Sequence, residues 1–115
     1  PSGMVVLAYW SEEALVRYLN RKLDRYTAKS VITPKRIRAR LAQIRETGII
    51  WMEGEFADGI TSVAAPLFNS AGAVVGALHS HGPSYRFPDE NLRKIVSDRL
   101  RLSAKEISSA LGYRD

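Results

Sequence analysis

The chain has 115 residues, a net charge of +5, 45% apolar and 25% charged residues. That length supports one small domain with one core, and the composition is ordinary for a globular protein. No cysteine is present, which excludes disulfide frameworks and thiolate metal sites, and no apolar run approaches the roughly 20 residues that span a bilayer.

Charge is spread unevenly. Residues 1–48 hold ten Lys/Arg against four Asp/Glu, and residues 49–115 hold seven against eight. A basic half is the electrostatic footprint of nucleic-acid binding. The same charges also describe the solvated faces of two amphipathic helices, and we take that second reading because charge alone is weak evidence. The first eight residues lack the basic start of a signal peptide, so the expected compartment is cytoplasmic.

Ser2-Gly3-Met4 opens a short apolar run to Trp10, too short to assign by periodicity. If a helix begins there, its N–H groups and dipole would favour an anion; the alternative is a plain helix cap. Ser11 is a good N-cap, Glu12 and Glu13 suit a first turn, and Ala14, Leu15, Tyr18, Leu19 and Leu23 fall at helical spacing, which predicts a helix over 12–24. Residues 25–32 read as irregular. Thr33-Pro34 then starts a second helix, with Ile37, Leu41 and Ile44 as its buried stripe and Gly48 ending it.

Residues 49–52 read as a strand and 53–59 as a loop. Residues 60–68 and 73–82 read as two antiparallel strands closed by a turn over 69–72. Pro66 predicts an edge or a bulge. From Phe87-Pro88-Asp89-Glu90 a long helix runs to Gly112, with Leu92, Val96, Leu100, Ala104, Ile107 and Leu111 as its apolar face. If Asn69 faces Gly72 across the turn, Ser62 sits opposite His79 and Ile60 opposite His81. Ile60, Ser62, Ala64, Ala77, His79 and His81 then share one face, and Thr61, Val63, Ala65, Leu67, Val74, Leu78 and Ser80 share the other.

His79-x-His81 carries the chemistry, because residues two apart on a strand point the same way. Neutral imidazoles bind metals, but two ligands are too few, so Glu53, Glu55 or Asp58 would have to complete a site. The pair could instead donate hydrogen bonds to a small anionic or polar ligand, or stand at a solvated strand end. Ser62 with His79 does not make a serine hydrolase: no nucleophile turn surrounds Ser62 and no oxyanion hole is evident. The two early helices imitate a helix-turn-helix, but the connector is far longer than the usual three or four residues.

Several spaced motifs share one resemblance. Leu41-Ala-Gln-Ile-Arg-Glu-Thr-Gly48, Gly59-Ile-Thr-Ser-Val-Ala-Ala-Pro66, Gly72-Ala-Val-Val-Gly-Ala-Leu78 and Gly82-Pro-Ser-Tyr-Arg86 resemble the effector-binding domain of the IclR family of bacterial transcriptional regulators. Gly3-Met-Val-Val-Leu-Ala-Tyr-Trp-Ser-Glu-Glu13 and Ile107-Ser-Ser-Ala-Leu-Gly112 extend the resemblance over nearly the whole chain. It implies a GAF-like α/β (α+β) fold, an antiparallel sheet with helices on both sides. It also implies a ligand-sensing domain that is no enzyme, has no cofactor and assembles as a homodimer or homotetramer.

By the same resemblance the ligand is a small organic or aromatic acid. Its pocket is lined by Ser2, Gly3, Met4 and Leu7, by Met52, Ile60 and Ser62, and by His79 and His81. Operator DNA would be bound only through a winged helix that, with the first part of the effector domain, lies outside the 115 residues. The chain departs from the family pattern at Met52, where an acidic residue is common, and at His79-x-His81, where Ser-x-Ser is common.

Overall fold

The computed structural model describes residues 2–20, 33–55 and 57–114; of Ser2 it describes the backbone alone. The elements run α1 (Ser2–Leu7), α2 (Glu12–Leu19), α3 (Pro34–Thr47), β1 (Ile50–Glu53), β2 (Ile60–Phe68), β3 (Val74–Pro83), a 3-10 turn (Ser84–Arg86) and α4 (Glu90–Ala110). The apolar run at the start is thus a helix. In α2 the Ser11 hydroxyl accepts the Ala14 N–H at 3.2 Å, the capping its sequence called for. The expected helix over 12–24 is seen to Leu19, and its remainder from 21 lies outside the described residues.

α3 begins at Pro34 as read, although Thr33 caps it without a side-chain hydrogen bond. It buries Ile37, Leu41 and Ile44 at helical spacing and ends at Gly48, whose φ of 72° is left-handed and suits a residue without Cβ. α4 starts where Asp89 Oδ1 accepts the Leu92 N–H at 2.8 Å. It closes with Tyr113 N–H donating to Ser108 O and Gly112 N–H to Ser109 O, both at 2.9 Å, the paired bonds of a Schellman ending.

The three strands form one antiparallel sheet in the order β1-β2-β3. Ile50 pairs with Ala64 and Met52 with Ser62, so Ile50 and Met52 share a face with the even residues of β2. That face meets α1 and α3: Val5, Ile37, Leu41, Ile44, Ile50 and Ala64 belong to one buried core. The opposite face meets α4, where Trp51 Nε1 donates to Ser97 Oγ at 2.8 Å and the Phe68 N–H donates to Ser108 Oγ at 3.0 Å. Helices therefore cover both faces, in the layered α/β arrangement the sequence implied.

Three sequence expectations need correction. Ser62 pairs with His81, Ala64 with His79 and Ile60 with Pro83, two residues away from the predicted register. The turn closes with Asn69 N–H on Ala73 O, which leaves residues 70–72 in the loop with Gly72 at φ 77°. The pairing then jumps from Phe68 with Val74 to Leu67 with Gly76, so Val75 is an extra, bulged residue. Each device shifts the register by one. Together they restore parity for the histidines but move Val74 onto the face of Phe68, opposite to expectation.

Pro66 lies in the central strand of the sheet but at a local edge beside the bulge, as its presence predicted: β1 reaches only to the Ile50–Ala64 pair, so among the described residues β2 has a neighbour on one side alone at Pro66, and the missing N–H is tolerated there.

The third correction concerns α4. It buries Ser97, Ala104 and Ser108, whereas Ile107 is exposed and Leu111 is exposed at the cap. The helix rests on a stripe of small residues because the strand beneath it is itself filled by Val63 and Ala65. Leu102 and Ile95 also face outward, at 59% and 45% exposure.

Three outcomes follow from this packing. Leu41→Ala, at a fully buried position, lowers unfolding free energy by about 2–5 kcal/mol in denaturant titration. Ser108→Ala strands the Phe68 N–H and costs about 1–3 kcal/mol by the same measurement. Burial against Phe68 raises the Tyr9 phenol above its ordinary value, with Arg45 opposing and Tyr113 reinforcing the shift. The unfolded phenol then ionises before the folded one, so this stabilisation is complete below the unfolded value and decays as pH rises through the folded value. Alkaline melting of the protein shows that decline, and Tyr9→Phe removes its share.

Candidate functional site

The period-two backbone of β3 brings His79 and His81 onto the face shared with α1, as the spacing predicted. Their rings stack with centroids 5.5 Å apart and planes 20° apart, and both side chains are exposed. Across the sheet they head two rows of paired residues. Met52, Ser62 and His81 form one row, and Ile50, Ala64 and His79 form the next. Paired Cα atoms in such rows stand about 4.5–5.5 Å apart. One hydroxyl and two imidazoles thus sit on a floor of methyl and thioether groups.

The end of α1 is anchored at the turn end of β2. The residue after its last turn but one, Tyr9, packs edge-on against Phe68 at 5.1 Å, which fixes the end of α1 at the turn end of β2. Arg45 holds the same end by donating to the Ala8 carbonyl at 2.9 Å, a cation where the helix dipole is negative.

The predicted site residues therefore divide. Met52, Ser62, His79 and His81 are brought into adjoining rows, with Ile60 one step further along β2 opposite Pro83. Gly3 is exposed on α1, and nothing lies within 4 Å of a Cβ built there. Met4 is half-buried against the core, and Leu7 is buried within it among Leu15, Leu41 and their neighbours. Ser2 opens α1, and its side chain lies outside the described residues. Sequence reasoning did not place Ile50 beside His79, although its two-residue spacing from Met52 was the available signal.

Of the three carboxylates offered as partners for a metal, Asp58 is exposed in the loop before β2, and the other two are engaged elsewhere. Glu53 points to the α4 face and pairs with Arg93 at 3.2 Å, and Glu55 is buried against Arg40 at 2.9 Å. Among the described residues no three His, Asp or Glu side chains gather closely enough to hold a metal ion. Arg38 of α3 likewise has a structural role, pairing with Glu12 at 2.9 Å, and its hydrogen bond holds that carboxyl below the ordinary range. No helix among the described residues is long and apolar enough to cross a membrane.

Known proteins share this fold. Residues 1–109 match the family described as "Bacterial transcriptional regulator IclR C-terminal". The HTH-type transcriptional regulator KdgR of Escherichia coli (strain K12) is 29% identical over 114 residues, covering 98% of this chain and 43% of the relative. The transcriptional repressor IclR of the same organism is 30% identical over 96% of this chain and 40% of its own length. The crystal structure of Thermotoga maritima IclR superposes with a TM-score of 0.89 at 31% identity, over 96% of this chain and 45% of that one. The chain thus spans less than half the length of these relatives. It belongs to the IclR family of bacterial transcriptional regulators and corresponds to their C-terminal, effector-binding domain.

Proposed function

We propose that the chain is the ligand-sensing part of a cytoplasmic transcription regulator. Its effector is a small organic or aromatic acid, taken on the sheet face that carries Ser62, His79 and His81. The observation that carries this reading is the stacked histidine pair beside Ser62 on an otherwise apolar floor. Imidazole N–H groups and a hydroxyl are donors to a carboxylate, while the half-buried Met52 and Ile60 suit the body of the molecule. Gly3 on α1 adds a backbone without a side chain on the same side of the sheet.

The whole regulator would bind operator DNA through another domain and respond because effector binding favours one arrangement of protomers over another. Assembly into dimers or tetramers belongs to the same reading. The outward Leu102 and Ile95 of α4 support it, since apolar side chains of that size gain by being covered.

Thermal melting against a panel of carboxylic acids tests the site. Binding to the native state alone raises the melting temperature by mass action. At least one acid raises it, and His79→Ala/His81→Ala abolishes the rise while keeping the unliganded melting temperature near its original value, because both rings are exposed. A folded protein that binds none of a broad panel by calorimetry sinks the reading. The chain alone gives no sequence-specific shift of operator DNA at physiological salt; a specific shift would show that it carries its own DNA-binding surface.

A further inference from the structure

α4 has two opposed faces. Ser97, Ala104 and Ser108 are buried against the sheet. Ile95, Leu102 and Glu106 each precede one of these by two residues, which on an α-helix is a rotation of roughly 200°. They therefore point away from the sheet, and Arg99 joins them at helical spacing. All four are exposed, Ile95 and Leu102 at 45% and 59%.

A single exposed aliphatic side chain is ordinary. Here two stand one heptad apart on one stripe, and positions 95, 99, 102 and 106 follow the four-three-four spacing of a helix–helix seam. Aliphatic and charged residues alternate along it.

The charges decide what the seam fits. Among the described residues neither Arg99 nor Glu106 has an ion pair, whereas Lys94, Asp98 and Arg101 on the flank of the same helix pair with one another. Seven residues of helix place Arg99 and Glu106 roughly 10 Å apart along the axis, too far to meet each other. A second copy of α4 supplies what each lacks. Laid parallel and in register, it sets Arg99 against the partner's Arg99 and Glu106 against the partner's Glu106, which is repulsive. Laid antiparallel, about a two-fold axis between positions 102 and 103, it sets Arg99 against the partner's Glu106 twice over, by symmetry. Leu102 then meets its own counterpart at the centre, and Ile95 lies over the partner's Ala110. Ser103, exposed beside the axis, leaves room for the helices to approach.

We propose that the outer face of α4 is a self-complementary interface joining two copies of this chain antiparallel, with Leu102 at the two-fold axis and reciprocal Arg99–Glu106 pairs on either side. This rests on the assembly stated in the functional reading and gives it a face and an orientation. Three turns of helix bury less than a standard interface, so the association is weak and concentration-dependent.

Sedimentation equilibrium over a range of protein concentrations is the test. A reversible monomer–dimer equilibrium is expected. Leu102→Asp weakens it about tenfold or more. Its melting temperature, compared at a concentration where both proteins are monomeric, stays near the original because position 102 faces water. Arg99→Glu and Glu106→Arg each weaken the dimer about tenfold, since two symmetry-related pairs turn from attraction to repulsion. Arg99→Glu/Glu106→Arg in one chain restores the affinity to within about threefold. A chain that stays monomeric at every concentration overturns the proposal, and so does a dimer that Leu102→Asp leaves intact. A charge-swapped double variant that associates no better than either single variant overturns it too, because only reciprocal pairs predict the rescue. Acid binding is scored separately by thermal melting. Acid binding without a dimer removes this proposal alone, and a dimer that binds no acid removes the sensing reading alone.

Discussion

β2 is covered on both of its faces, and most of the structure is arranged around that constraint. Val63, Ala64 and Ala65 are at most 1% exposed. A strand buried twice has room for small side chains where two helical layers press close. Ala64 lets α1 and α3 approach from one side, and Ala65 lets α4 approach from the other. The stripe of Ser97, Ala104 and Ser108 on α4 is the counterpart of that closeness. Two of these serines then serve as hydrogen-bond partners, one for the Trp51 indole and one for the Phe68 N–H, so the polar atoms at the interface are satisfied.

Toward its turn end the strand is held by aromatic contacts. The aromatic contacts of Tyr9, Phe68 and Tyr113 fasten α1 and the C-terminal residues to the last residue of β2. Each such pair contributes about 0.5–1.5 kcal/mol beyond its burial. At the opposite end stand Ser62, half-buried, and the exposed His79 and His81. The division between a packed end and an open, donor-bearing end places the candidate ligand face where desolvation costs nothing until a ligand arrives.

Local signals carried much of this in the sequence. Thr33-Pro34 and Gly48 bracket α3 because proline and glycine act through backbone geometry that no distant contact alters. His79 and His81 share a face because the strand period is fixed. What was not legible depends on the rest of the molecule. The bulge at Val75 answers to the pairing of a whole strand, and no residue type at that position announces it. The buried side of α4 is chosen by the alanines and valine of β2, so hydrophobicity along the helix pointed to Ile107 and Leu111, which the structure leaves exposed. The stack of Tyr113 on Phe68 joins a helix end and a strand end that only the tertiary fold unites.

Part of the basic charge of residues 1–48 is used in the same packing. Arg38 reaches Glu12 of α2, Arg40 reaches Glu55 in the loop before β2, and Arg45 reaches the last carbonyls of α1. α3 is thus the hub to which three other segments are tied. These ties differ in weight. The Arg38–Glu12 pair is exposed to water and screened by salt, so it orients α2 more than it stabilises it. The Arg40–Glu55 pair is enclosed, with the Glu55 side chain only 6% exposed, and an enclosed pair is costly to break from one side because the remaining charge is stranded. Arg45 adds a cation at a helix C-terminus. Through Arg38, Arg40 and Arg45, α3 uses part of its positive charge to hold α2, the β1–β2 loop and the end of α1 in place.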